Sequence, residues 1–306
     1  MRLKKIAAAV LCCAVTVLSG CGAERREAVP ETLTLLIEDE NRILTMSYTE
    51  YVAGCIFAAA DPSFQRETLV AAGIALSSQT RFCLQKFKAD LGADLCDRWD
   101  IYPEWLSPDD DEDCGDDRIP DWRERVWEAA ETAAQMCLYY NGEPAYTPCC
   151  RVSSGRTDDG GYEYLPAMKL SRDADSPEYS ARAEYTCERV RSLLAGYTGK
   201  VVLPPDKAEW FTDPVRTKSG ALRSVCFGGS QISGEQLRRA LRLRSTEITI
   251  LQEHDSFIFE TSGSGGNLGM SVYTAELMAR SGMSAEEILE VFFPGTRLVY
   301  FNSTTS

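Results

Sequence analysis

Histidine is almost missing from this chain: His254 is the only one in 306 residues. It stands between Glu253 and Asp255, and such neighbours account for a surface-loop histidine with no further role. Positive charge is also scarce. Lys and Arg number 32 against 46 Asp and Glu, a formal charge of -14, which speaks against nucleic acid and makes polyanionic wall polymers poor partners at low salt. Neutral glycan or another protein suits that surface better. An apolar run at 6–18 is too short and too weakly flanked for a stable membrane span. Finally, the turn GSGGNLG at 263–269 contains no group that titrates near neutral pH. Gly265 and Gly269 permit positive φ and close backbone approach, so the turn reads either as a structural element ahead of a helix N-cap at Ser271 or as a loop moulded around a ligand.

The N-terminus has the layout of an export signal. Arg2, Lys4 and Lys5 precede the apolar run, which ends in Leu18-Ser19-Gly20-Cys21. These four residues resemble the bacterial lipobox, where the cysteine is acylated and the chain is cut before it. The expected organisation is a lipoprotein signal peptide over 1–20, a polar tether over 21–32, one domain over 33–301 and a tail over 302–306. Acylated Cys21 would then hold the protein on the extracytoplasmic face of the cell membrane.

Of the 12 cysteines, Cys12 and Cys13 leave with the signal and Cys21 takes the lipid, so nine remain. An odd number leaves at least one thiol free, and spacing alone does not reveal any pairing. Small buried hydrophobes are one reading of most of them. Adjacent Cys149 and Cys150 cannot easily bridge each other, and only Arg151 lies close enough in sequence to activate a thiol.

Alternating apolar residues at 33–37 and 43–46 predict a strand hairpin, and Ser47 followed by Glu50 predicts a capping box opening a helix over 48–60 that Pro62 stops. A second helix is expected from Gln65 to about Phe87, and a third over 122–136. The run PDDDEDCGDD at 108–117 is read as a solvated acidic loop, because its carboxylates lack EF-hand spacing. Residues 137–140 before Asn141-Gly142 predict a strand entering a tight turn. Strands are then expected at 201–203, 222–227, 247–251 and 256–260, with a short helix at 236–243. Helices first and strands later predict an α+β fold, a helical N-terminal part and a mostly β C-terminal part around a shared cleft.

Several stretches carry a resemblance. YTEYVAGCIFAAADPSFQRETLVAAGIAL (48–76), VWEAAETAAQMCLYYNGEP (126–144), SSGRT (153–157), LRRALRLRSTEITI (237–250) and GSGGNLGMSVYTAELMARSGMSAEEILEVFFPGTRL (263–298) resemble, in order, the stage II sporulation protein D and LytB amidase-enhancer family. The resemblance implies a peptidoglycan-facing protein. Sporulation members of the family resemble lytic transglycosylases, in which one carboxyl protonates the glycosidic oxygen and then takes a proton from the sugar's 6-hydroxyl.

The chain departs from the family where that chemistry resides. The family's glutamate, in an Ala-Ala-Glu-Met-Pro segment, aligns with Ala60. Asp61 is next door, but one residue along a helix turns a side chain by roughly 100°. It could substitute only in a rebuilt helix end, and its other reading is a turn residue. The family's Ala-Arg-Thr arginine and threonine align with Ser77 and Ser78, and the histidine before the serine-glycine loop aligns with Cys150. The closing Gly-His-Gly-Val-Gly-Met-Ser-Gln reads Gly265 to Val272 and loses both its histidine and its glutamine. Clostridial relatives pair a cysteine with a His-Cys dipeptide that can hold zinc. Here Cys96 survives while the dipeptide falls at about Asp100-Ile101, so no metal and no cofactor are expected.

The expectation is therefore a noncatalytic protein of this fold that binds peptidoglycan glycan strands or a cell-wall amidase, with no nucleic-acid partner. Tyr51, Ser153, Thr157, Gly265, Gly269, Ser271 and Tyr273 are the candidate sugar contacts. Packing is the competing reading for Tyr51 and Tyr273. The alternatives are an active transglycosylase using Asp61 or a carboxylate from elsewhere such as Glu50, and an amidase-enhancer scaffold that touches no sugar.

Overall fold

The computed structural model describes residues 30–301 apart from 39, 88, 90–91, 99–100, 109–118 and 200. The expected signal segment, Cys21, most of the expected tether and of the acidic run, and the expected tail from 302 lie outside the described residues. Among these, no helix is long and apolar enough to cross a membrane.

Thr32–Ile37 (β1) and Arg42–Ser47 (β2) pair antiparallel. Ser47 then caps Tyr48–Ala59 (α1) as expected: its Oγ accepts the Glu50 N–H at 3.1 Å and the Glu50 carboxylate accepts the Ser47 N–H at 3.4 Å. Pro62 disfavours helical geometry before it, and α1 stops at an extended Ala60. Arg66–Lys86 (α2) is buried along most of its length and packs on α1 and on Ile119–Ala134 (α3). Close packing dictates a glycine here, since a Cβ on Gly73 would stand 2.7 Å from Ala133 Cβ. Leu95–Cys96 (β3) joins β1 in parallel. Met136–Tyr140 (β4) turns back into Glu143–Pro144 (β5) through Asn141 (φ 52°) and Gly142 (φ 84°), the two positive φ values a type I′ turn requires. Cys149–Cys150 (β6) follows.

The chain then builds a second unit. Ser180–Thr186 (β7), Cys187–Thr198 (α4), Phe211–Arg216 (β8), Leu222–Phe227 (β9), Ser230–Ser233 (β10), Gly234–Ala240 (α5), Glu247–Glu253 (β11) and Ser256–Ser262 (β12) form two antiparallel sheets, ordered β10-β9-β8 and β11-β12-β7. Phe227, Phe257 and Phe259 fill the core between them, with Trp210 against the Phe227 and Phe257 rings. His254 lies exposed at the tight turn joining β11 to β12, with φ 50°.

The chain finally returns to the first unit. Met270–Ser271 (β13) pairs in parallel with β6, Val272–Arg280 (α6) and Ala285–Phe292 (α7) pack on α2, and Arg297–Tyr300 (β14) pairs with β4. The opening and closing segments thus share one core, which contains Leu35, Ile56, Leu69, Met270 and Phe292 together. Buried Arg81 marks the join: its guanidinium lies 5.1 Å from the Tyr48 ring centre and 4.2 Å from that of Phe301.

The fold is α+β, with helices in the N-terminal and middle region and strands dominating later. One expected strand is absent: 201–203 has no ladder partner. Its alternation is real, because Val201 and Leu203 pack on the second core while Val202 is 92 % exposed, but no neighbouring backbone pairs with it. The helix expected at 236–243 starts earlier, at Gly234, where Ser233 and Gln236 form a second capping box. Strands β7, β8, β10 and β14 and helix α4 were not legible from periodicity.

Candidate functional site

A cleft of about 290 Å³ opens between the two units. Its walls come from the end of α1, the segment around Glu104, the 146–151 loop and strand, the start of α5, and the glycine turn.

The turn is held from below. Gly265 donates its N–H to the Arg244 carbonyl at 2.8 Å, and Ser264 and Val152 exchange two backbone hydrogen bonds. A Cβ at Gly265 would stand 2.6 Å from Cys150 Cβ, and one at Gly269 would stand 2.0 Å from the Pro148 carbonyl oxygen, so both positions exclude a side chain by space as well as by φ (119° and 73°). Ser271 is fully buried and spends its hydroxyl capping α6, accepting the Thr274 N–H at 3.2 Å. The structural reading of this turn therefore accounts for its glycines and serine, while Gly265 and Gly266 still form part of the cleft floor.

At the end of α1, Ala60 is buried. Arg151 reaches across it, donating from Nη1 to the carbonyls of Ala58 (2.8 Å) and Ala60 (3.4 Å) and from Nε and Nη2 to both carboxylate oxygens of Glu178 (3.0 and 2.9 Å). A cation at a helix C-terminus satisfies orphan carbonyls and complements the dipole. Asp61 turns away: its Oδ1 accepts the Ser63 N–H (2.8 Å) and hydroxyl (2.7 Å) in an Asx turn, and it faces a different cavity of about 270 Å³, shared with Tyr273, Glu178 and Glu276.

The other anticipated contacts are dispersed. Tyr51 is fully enclosed in the core, its hydroxyl facing the Cys55 thiol. Ser153 is buried and donates its N–H to Asp173 Oδ2 at 2.8 Å, and Thr157 Oγ1 accepts the Met168 N–H at 3.1 Å. Gly265 alone of the proposed residues lines the cleft. Ser77 and Ser78 are equally internal: Ser77 Oγ lies 3.0 Å from the Tyr48 hydroxyl, and Ser78 Oγ accepts the Leu138 N–H at 2.8 Å.

Side chains that sequence reasoning did not single out equip the cleft. Glu104 stands in its wall with its side chain 38 % exposed; burial raises its pKa while Arg238 and Arg151 pull it down. Arg238, almost buried, lies 3.4 Å from Glu235 Oε2 and 4.0 Å from Glu104 Oε2, and its Nε donates to the Arg244 carbonyl. Tyr102 and Tyr146 present rings to the same space. The only local hint was Glu104's setting in YPEW, an acid among aromatics and a proline. The Cys149 and Cys150 thiols also face the cleft, and burial pushes both up, so neither is an activated nucleophile. Cys55, Cys83, Cys96, Cys137, Cys149, Cys150, Cys187 and Cys226 are all free.

Among the described residues, one group has metal-ligand proximity: Glu38, Cys96 and Asp97, with ligand atoms within 4.8 Å of one another. Arg239 already lies between its carboxylates, 2.8 Å from Glu38 Oε2 and 3.9 Å from Asp97 Oδ1, and supplies the positive charge there.

No protein-family model matches the chain. The chain is similar to the stage II sporulation protein D of Bacillus subtilis (strain 168), 21 % identical over 292 residues that cover 90 % of this chain and 81 % of the relative. It is also similar to the stage II sporulation protein D of Bacillus amyloliquefaciens, 25 % identical over 164 residues that cover 52 % of this chain and 46 % of the relative. A likeness at this level, running through almost the whole chain, makes the protein a distant homologue of stage II sporulation protein D.

Proposed function

We propose that this protein is a lipid-anchored, extracytoplasmic member of the sporulation-D group whose cleft binds peptidoglycan glycan without cutting it, acting beside cell-wall hydrolases during engulfment. The observation that carries the reading is the end of α1. Where the resemblance puts a proton-transferring glutamate there is a buried methyl group at Ala60, and Arg151 spans that helix end with its charge committed to Glu178. The neighbouring Asp61 is committed to its own turn. Affinity electrophoresis through stem-peptide-free glycan tests the reading: the purified full chain is expected to be retarded, and unchanged mobility across a glycan series refutes sugar binding. Mass spectrometry of the same mixture is expected to show no anhydro-muramyl ends.

One observation favours a second reading, an active transglycosylase with a displaced acid. Glu104 brings into the cleft a carboxyl whose pKa burial raises, the property a general acid needs. Anhydro-muramyl products that vanish in Glu104→Gln but persist in Asp61→Asn would establish that reading and overturn the noncatalytic one.

A further inference from the structure

Four separate stretches of chain bring aromatic rings into one connected cluster. Tyr102 stands 6.4 Å from Phe87, Phe87 6.3 Å from Phe82, and Phe82 5.1 Å from Tyr146 and 6.4 Å from Tyr162, with Tyr162 stacked on Tyr164 at 5.1 Å and 27°. Tyr102 and Tyr146 belong to the cleft wall, whereas Phe87 and Tyr162 are each 41 % exposed. Each exposed ring therefore flanks a ring of the cleft wall: Phe87 stands beside Tyr102, and Tyr162 lies 6.3 Å from Tyr146.

Core packing explains the inner rings but not the outer two. A large apolar side chain gains stability from burial, and two exposed rings bridged by half-buried Phe82 and bordered by a polar rim form a patch that packing leaves open to a ligand. The rim is present: Lys86 pairs with Glu143 at 2.8 Å, and Tyr140 donates to Glu163 at 2.6 Å. Among ligands, an anionic lipid surface is disfavoured by the chain's net charge of -14. Flat phenylalanine faces and tyrosine rings with polar edges, joined to a polar cleft, match the apolar faces and hydroxyl rims of pyranose rings.

We propose that this patch is an outer subsite of the cleft, on which successive sugar rings of a neutral N-acetylhexosamine chain stack as the strand leaves the cleft. The proposal rests on the glycan-binding reading above and names Phe87 and Tyr162 as the rings against which the strand lies beyond the cleft. Each ring stacked outside the cleft strengthens the binding of long strands and leaves short ones unaffected.

The test compares the full chain with Tyr162→Ala, Phe87→Ala and Tyr162→Phe, using the β-1,4-linked N-acetylglucosamine dimer and hexamer as probes in calorimetric titrations, with thermal melts to verify folding. The wild type is expected to bind the hexamer more tightly than the dimer. Each alanine variant should lose roughly three- to tenfold in hexamer affinity with dimer affinity unchanged, and Tyr162→Phe should retain the wild-type ratio. A preserved length preference in both folded alanine variants overturns the outer subsite while leaving sugar binding in the cleft intact. An equal loss for dimer and hexamer also overturns it, because the rings would then act on the cleft itself. If neither oligomer binds the wild type, the glycan reading fails and the outer subsite fails with it.

Discussion

The two units that face each other across the cleft are packed by different means. The first core is rich in alanine: Ala53, Ala71, Ala72, Ala75, Ala129, Ala130 and Ala133 are all essentially inaccessible, which lets α1, α2 and α3 approach until Gly73 has no room for a side chain. The second core has no alanine among its buried members and is filled by Phe227, Phe257, Phe259, Leu237 and Ile248 between two small sheets. Small residues give close, rigid backbone contacts, whereas large rings bury more apolar area per residue. The first unit provides most of the cleft wall, Tyr102 and Tyr146 included, while the second contributes Glu235 and Arg238 at the start of α5.

That contrast can be broken most forcefully in the second core. Phe259→Ala removes a fully buried ring with few small neighbours to close the space, and is expected to cost about 3–5 kcal/mol. Denaturant unfolding followed by tryptophan emission and by far-UV circular dichroism should separate into two transitions, and coincident transitions would show that the units fold as one. Gly269→Ala attacks the seam instead. It places a Cβ against the Pro148 carbonyl at a φ of 73°, with an expected loss of about 3 kcal/mol, read as a lower unfolding midpoint at unchanged slope.

Arg151→Met releases the α1 carbonyls and leaves Glu178 unpaired. Because both partners are partly exposed, the expected cost is only about 1–2 kcal/mol, and it should shrink at high salt if the Glu178 pair dominates. The smallest effect belongs to Glu104. Burial raises its folded pKa above the unfolded value, so ionisation destabilises the fold: the penalty is absent below the unfolded pKa and fully present above the folded one. Glu104→Gln should melt like wild type at about pH 4, near the ordinary glutamate pKa, and slightly higher at neutral pH. A melting difference that does not change with pH would show that the carboxyl is not destabilised by its setting.

Much of the local structure could be read directly. The hairpin at 32–47 and helix α2 follow from apolar periodicity, and both ends of α1 and the Asn141-Gly142 turn from a capping box, Pro62 and positive-φ requirements that act over a few positions. The strand expected at 201–203 shows the limit of such reasoning, since half-burial produces alternation whether or not a neighbouring backbone arrives to complete the ladder. The site was less legible than the fold. Hydroxyl-bearing residues in recognisable motifs, Ser153, Thr157 and Ser271, prove to be spent on internal hydrogen bonds, while Glu104 and Tyr146 lie in stretches with no motif of their own and nothing local distinguishes Arg238 within the 237–250 stretch.

By itself the sequence determined what neighbouring residues decide: where helices begin and stop, which turns need glycine, and that no glutamate stands at position 60. The tertiary structure alone decided that Glu104, Tyr146, Arg151, Arg238 and Gly265 would meet around one space while Asp61 and Tyr273 turned to another. Capping and turn chemistry operate within a few peptide units. The cleft instead arises where two separately packed cores abut, and which side chains face that boundary depends on how distant segments fill volume.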